Sequence, residues 1–287
     1  MRAHTTVVFC AIDDCIPVSG KPLLGFPEFL DGLAESRISC VWVSTRSRHQ
    51  LDLAIRRLGH GAPFIAEGGA GVFLPEDYFH LKTEKTVRLG RFTCIPVAAA
   101  QPAASEGLEA IAGETGVGVV PLRSLSPREL VQNTGLSRDA AEALRQRDFD
   151  ELFFFAGASD EDIQRFRKQA LHRKLAVRPV DRLWSLAVGA SLASCVRHLS
   201  KLYDRSLHAH AFCISLATAE HSQELLPFCD RGIVLTTRHD ETGAGAVQNR
   251  PAPTTLPLFG ADTWDAALET IRNRQFSSAE NARTKSD

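Results

Sequence analysis

Apolar positions along the first eighty residues alternate between short unbroken runs and helical spacings. Residues 5–12 (TTVVFCAI) form one such run and predict a buried strand, while residues 27–34 repeat apolar positions with helical period. Residues 38–43 are a second β-branched run, and residues 49–58 place leucines and an isoleucine at helical spacing. Two further short strands are expected at 63–65 and 71–73, around a glycine-rich turn. This rhythm predicts a doubly wound α/β core, a parallel sheet with helices on both faces.

From about residue 82 to 186 helical segments follow one another instead. Ser126-Pro127-Arg128-Glu129 reads as a capping box with proline at the first helical position. Thr134-Gly135-Leu136-Ser137 ends that helix and caps the next. Ser159 caps a third, whose first turn carries Asp160, Glu161 and Asp162 against the positive end of the helix dipole. With short strands expected at 151–155, 176–180 and 182–186, the segment reads as an inserted α+β domain. The βα rhythm then returns, with helices over 191–203 and 222–228 and strands over 210–216 and 232–236. Residues 241–255 read as a loop. The expected division is a core of 1–81 and 187–275, an insert of 82–186 and a frayed tail of 276–287.

Composition narrows the function classes. The 287 residues are 44% apolar and 23% charged, with a formal net charge of -1. That balance gives no reason to expect nucleic acid or an anionic membrane as partner. No stretch approaches the ~20 apolar residues that cross a bilayer. Seven cysteines, an odd number at irregular spacings, fit neither a disulfide framework nor a zinc pattern and imply a reducing, cytoplasmic setting.

Four segments, in order, carry a family likeness: VSTRSR (43–48), PFIAEGGAGVFLP (63–75), TGLSRDAAEALRQRDFDELFFF (134–155) and DRLWSL (181–186). They resemble the mannosyl-3-phosphoglycerate phosphatase branch of the haloacid-dehalogenase-like hydrolases. The third is the most specific of them, being long. The resemblance implies a Rossmann-like core with an inserted cap of the C2 type. It also implies a chemistry in which an Asp attacks phosphorus, a second Asp two residues on serves as acid and base, and Ser/Thr and Lys hold the phosphoryl group beside Mg²⁺.

Laid on this sequence, the family's D-x-D-G-T falls on 11–15. Ala11 then stands at the nucleophile position, Asp13 at the acid/base, Asp14 at the Gly and Cys15 at the Thr. Ser44 keeps the phosphate-binding hydroxyl, Leu192 replaces the Lys, and Thr218 and Ser222 replace the two acids of the metal loop. A methyl group neither attacks phosphorus nor ligates a metal. With its acidic ligands missing, the Mg²⁺ usual in the family is not expected here, nor is any other metal or cofactor.

The cap keeps more. Arg145, Arg147 and Arg182 match family arginines that the resemblance places near the sugar-phosphate site. With Ser44, Thr45, Arg46 and Glu67 they would form an anion pocket between core and cap, although Gly68 replaces the family's Asn. The leading expectation is a catalytically degenerate relative that binds a phosphorylated or carboxylated small molecule or a protein partner. The alternative is an active phosphomonoester hydrolase with a non-standard nucleophile. For that role Asp13 lacks an acid two residues on. Cys10 should face away from the site by strand alternation, Cys40–Arg46 fits C-x5-R only by coincidence, and Glu220-His221 reads as a solvated turn.

Overall fold

The computed structural model describes residues 6–17, 20–79, 85–237 and 252–273. The chain runs through β1 (Thr6–Ala11), a single helical turn α1 (Ile12–Cys15), α2 (Phe26–Glu35), β2 (Ser39–Val43), α3 (Arg48–Leu58), β3 (Phe64–Ala66), β4 (Gly71–Pro75), β5 (Val87–Leu89) and β6 (Phe92–Pro96). Next come α4 (Gln101–Thr115), β7 (Val119–Pro121), α5 (Pro127–Thr134), α6 (Arg138–Arg145), β8 (Asp150–Phe155), α7 (Asp160–His172), β9 (Leu175–Val180) and β10 (Leu183–Val188). It closes with α8 (Leu192–Leu207), β11 (Phe212–Thr218), α9 (Ala219–Leu225), β12 (Arg231–Thr236), β13 (Thr254–Pro257) and α10 (Thr263–Asn273).

One sheet has the order β13-β12-β11-β1-β2-β3-β4-β6-β5. The six strands from β13 to β3 are parallel, and β4, β6 and β5 extend the edge antiparallel. Every residue of β1 is buried, which is why its sequence is unbroken in apolar character. Alternate residues feed two cores: Val8 and Cys10 pack on one face with Phe29, Trp42 and Trp264, and Val7, Phe9 and Ala11 on the other with Val196 and Tyr203. Because β5 and β6 pair onto β4, residues 87–96 belong to this large sheet, although the sequence reading began the insert at 82.

The second sheet, β7-β8-β10-β9, is antiparallel and carries helices α4 and α7. The capping boxes expected at Ser126 and Ser159 are formed, and Ser137 caps α6. The sequence reading did not single out α4, which starts from Ala100 without a side-chain cap and has small residues over much of its length. The helix expected at 222–228 begins earlier, at Ala219, and ends in a 3₁₀ turn over Leu226–Phe228 that contains Pro227. The expected loop at 241–255 and the tail from 277 lie outside the described residues, except that Thr254 and Thr255 open β13. No helix among the described residues is long and apolar enough to cross a membrane.

The topology fixes where a site can form. Strand order reverses at β1, which has β2 on one side and β11 on the other. The segments leaving the carboxyl ends of these three strands therefore splay apart into a crevice. They bring together residues 11–14, 44–46 and 218–221, beneath the second sheet.

Candidate functional site

Ala11 ends β1, and its methyl group faces a cavity of about 30 Å³ that Asp13, Ser44, Thr45, Arg178, Leu192 and His221 also line. That volume admits a water or two and not a phosphate group. Asp13 is tied down from three sides. It accepts from Ser44 Oγ at 2.6 Å and from Thr45 N and Oγ1 at 2.8 Å each, and Arg46 Nε stands 3.3 Å away. Arg46 also donates to the Ile16 carbonyl, closing the turn after β1 onto the turn after β2. Both Asp13 oxygens are thus committed to the protein.

Asp14, at the family's Gly position, meets the turn after β11. Its Oδ2 accepts from Thr218 N at 2.8 Å, and its Oδ1 lies 2.8 Å from His221 Nδ1. The hydrogen bond to Asp14 outweighs partial burial and raises the His221 pKa to about 9, so the pair is an imidazolium–carboxylate bridge at neutral pH. Sequence reasoning treated Glu220-His221 as a solvated turn; the structure instead joins His221 to Asp14 across 207 positions. Ser222 is buried and caps its own turn by donating to Ala219 O. Leu192 begins α8 at the cavity wall.

Mg²⁺ would have to find its ligands in this set, and the set does not fit it. Ala11 and Thr218 bring no carboxylate, Asp14 is neutralised by His221, and Asp13 is filled by hydroxyls, a backbone N–H and Arg46. Among the described residues no group of three or more His, Cys, Asp or Glu side chains could hold a metal ion.

Neither Cys10 nor Cys40 faces the Ala11 cavity. Cys10 Sγ lies 3.8 Å from Cys15 Sγ on the opposite face of β1 from Ala11, and the contact with Cys15 and burial push the Cys10 thiol well up. Cys40 sits near the start of β2, at the far end of that strand from Arg46.

A second, larger space of about 440 Å³ opens between the core and the second sheet, lined by Thr45, Arg46, Gln50, Arg147, Asp181 and Arg182 among others. Arg147 is its buried anchor. It forks onto Asp150 at 2.5 and 2.7 Å and donates to the Thr45 carbonyl at 2.8 Å, while its buried Nη1 has no partner among the described residues. Burial works against its charge, but the Asp150 and Glu67 carboxylates outweigh that and hold it cationic. Arg182 is exposed at the rim, with no ion pair among the described residues.

Glu67, in the turn between β3 and β4, is no wall of this space. Its carboxylate accepts from the backbone N–H groups of Asp148, Phe149 and Asp150 at 2.8–2.9 Å, stapling the turn to the start of β8. Burial and the Asp150 carboxylate push it up, to about 8. Arg145 also falls outside the cleft: it pairs with Glu142 on α6 and reaches the Leu125 carbonyl. Of the expected anion-binding residues, Thr45, Arg46, Arg147 and Arg182 gather in the larger space, and Ser44 turns to the smaller one.

Arg178 was not foreseen. Its Nη1 donates to the Gly68 carbonyl at 2.5 Å, and a side chain built on Gly68 would meet that nitrogen at 2.2 Å. The signal in the sequence was an arginine inside the otherwise apolar β9, LAVRPV. The replacement of the family's Asn by Gly68 is what leaves room for it.

No family model matches the chain. Two curated relatives are named glucosyl-3-phosphoglycerate/mannosyl-3-phosphoglycerate phosphatase. The one from Methanococcoides burtonii is 24% identical, over 76% of this chain and 84% of its own. The one from Persephonella marina is 22% identical, over 72% and 75%. Among solved structures, a phosphatase of the haloalkanoate dehalogenase superfamily from Bacteroides thetaiotaomicron superposes with a TM-score of 0.60 at 13% identity, covering 93% of this chain and 95% of that one. A haloacid-dehalogenase-like hydrolase from B. subtilis gives 0.60 at 14% identity, over 93% and 99%. At such identities the superpositions speak for the fold, and the curated relatives match the sequence over most of both chains. The chain has the fold of the haloacid-dehalogenase-like proteins and is similar over most of its length to phosphatases named for mannosyl-3-phosphoglycerate.

Proposed function

We propose that this chain is a phosphatase relative that has exchanged catalysis for binding, and that it holds a phosphorylated or carboxylated small molecule in the cleft between core and cap. The observation that carries this reading is the Asp14–His221 bridge beside the Ala11 methyl. An internal cation now satisfies the Asp14 carboxylate, which links the turn after β1 to the turn where the family's metal-loop acids would stand. The 30 Å³ left over has no room for a transferring phosphoryl group. The larger cleft, in contrast, keeps the exposed Arg182 at its rim, suited to an anionic oxygen.

A second reading has support in the curated relatives, which are phosphatases by name, and in Asp13, a carboxylate that lines the small cavity. On that reading Asp13 attacks phosphorus. It would first have to release Ser44 and Thr45, and Cys15, buried beneath it, would have to stand in as acid.

The test combines phosphate release from mannosyl-3-phosphoglycerate and glucosyl-3-phosphoglycerate, with Mg²⁺, and thermal unfolding with the same compounds. Binding without turnover appears as a saturable rise in Tm that Arg182→Gln diminishes, with no phosphate released. Turnover abolished by Asp13→Asn would establish the second reading and overturn the first.

A further inference from the structure

The core–cap cleft, at about 440 Å³, is the size of a small-molecule site, and its walls are more apolar than a sugar requires. Five of the side chains that line it are Leu136, Leu144, Phe154, Val180 and Leu183. Val180 and Leu183 are buried in a cluster of the inserted domain, against which Leu136, Leu144 and Phe154 pack while remaining half-buried. Leu136 comes from the turn between α5 and α6, Leu144 from α6 and Phe154 from β8. Three separate elements thus bring an incompletely covered apolar surface to one space.

Most polar side chains of the cleft are already engaged. Thr45 donates its hydroxyl proton to Asp13, and Thr134 donates its own to the Leu130 carbonyl at 2.6 Å. Asn133 Nδ2 donates to the Glu129 carbonyl at 2.8 Å, and Gln50 Oε1 accepts from Ser47 N in the capping box of α3. Arg46 is held by Asp13 and the Ile16 carbonyl, and Arg147 by Asp150 and the Thr45 carbonyl. A polyhydroxylated body would bring a row of donors and acceptors to walls with few partners to offer. Each buried hydroxyl left unpaired works against binding, whereas an apolar body gains by leaving water.

The charge that remains lies at one rim. Asp181 and Arg182 form the turn between β9 and β10, both exposed, and neither has an ion pair among the described residues. The Arg182 guanidinium suits a carboxylate. Asp181 beside it repels negative charge, which favours a singly charged carboxylate over a doubly charged phosphate ester.

We infer that the ligand of this cleft is a monocarboxylate with an apolar body, bound more tightly than the sugar phosphates for which the curated relatives are named. The carboxylate meets Arg182 at the rim, and the body lies against Leu136, Leu144 and Phe154. The inference rests on the binding reading given above and goes further by choosing between its two ligand classes.

Isothermal titration of the full chain compares four compounds. The probe is 4-phenylbutyrate. Beside it stand 4-phenylbutyramide, which lacks the charge, gluconate, which carries the charge on a hydroxylated body, and mannosyl-3-phosphoglycerate. 4-Phenylbutyrate should bind saturably at one site, at least about tenfold more tightly than each of the others, the scale of one charge-assisted contact. Arg182→Gln should weaken it about tenfold. Leu136→Ser should weaken it too while leaving any gluconate binding unchanged. Arg182 is exposed, so its variant carries the test even if Leu136→Ser does not fold. An amide that binds as well as the acid, or an affinity unmoved by Arg182→Gln, overturns the inference. Tighter binding of mannosyl-3-phosphoglycerate without turnover also overturns it and leaves the binding reading standing. Binding by none of the four, or phosphate released from mannosyl-3-phosphoglycerate, overturns both.

Discussion

His221 Nδ1 and Asp14 Oδ1 stand 2.8 Å apart, linking the turn after β11 to the turn after β1. The bridge spans the switch point of the sheet, where α/β sheets bind their ligands. Here an imidazolium supplies the positive charge locally. On the proposed binding reading, Ala11, Leu192 and Thr218 are mutually consistent beside this pair, since a Lys or an acid placed there alone would meet a neighbourhood already neutral.

That pair sets a pH dependence with a definite sign. The pKa of His221 is raised from 6.5 to about 9, so the folded state holds the proton more tightly than the unfolded chain. Its stabilisation is fully present below pH 6.5 and is lost as pH rises through 9. Denaturant unfolding between pH 6 and pH 9.5 should show stability falling across that window, and His221→Gln should flatten the part due to this pair. Glu67, raised to about 8, falls in the same direction between its ordinary 4.5 and 8. The His221→Gln difference is therefore the quantity to read. An NMR titration placing His221 near its ordinary value would contradict the bridge.

Restoring the nucleophile position by itself should fail. Ala11 is 4% exposed and faces a cavity already shared by the Asp13 carboxylate. Ala11→Asp adds a second acid with no lysine or metal to meet it, and should cost about 1–3 kcal/mol of stability. Phosphate release with Mg²⁺ should not exceed that of the unmodified protein. Turnover from this single change would mean that Leu192 and Thr218 do not obstruct the chemistry.

Arg147 is the hinge of the buried charge between the two sheets. It lies among Asp150, Glu67 and the Thr45 carbonyl with its side chain 3% exposed. Arg147→Met keeps the volume but leaves the buried Asp150 carboxylate without its counter-ion, and should destabilise by about 3–5 kcal/mol. Urea unfolding measures it. A loss below about 1 kcal/mol, the range of surface pairs, would show that the cluster does not depend on the Arg147 charge.

The strands around β1 were legible because burial on both faces leaves an apolar run no solvated segment would carry. The helices with side-chain caps were legible for the same local reason, that Ser126, Ser137 and Ser159 serve their own first turns. α4 was not singled out because it has no such cap. The site was legible only where residues stand in for motif positions. Ala11, Leu192 and Thr218 could be found by register, whereas Asp14–His221 and Gly68–Arg178 join residues more than a hundred positions apart. Arg145 was misplaced because i,i+3 pairing with Glu142 holds it on the surface of α6. Nothing in the local spacing distinguishes it from Arg147, which α6 ends too early to carry.

The exchange of an Asn for Gly68 can be tested as a two-residue event. Gly68 has φ 60°, a conformation that Asn tolerates better than most residues, so backbone strain alone should cost little. A Cβ there would instead press on Arg178 Nη1 at 2.2 Å, forcing the guanidinium off the Gly68 carbonyl. Gly68→Asn should therefore cost about 1.5–3 kcal/mol, the worth of a hydrogen bond to a charged group. In an Arg178→Ala background most of that cost should vanish, leaving a coupling of at least about 1 kcal/mol in a double-mutant cycle. Costs that simply add would show that Arg178 yields freely and that Gly68 serves the backbone alone. A large coupling would mean that the glycine and the arginine depend on each other, and that Arg178 helps narrow the small cavity beside Ala11, which it lines.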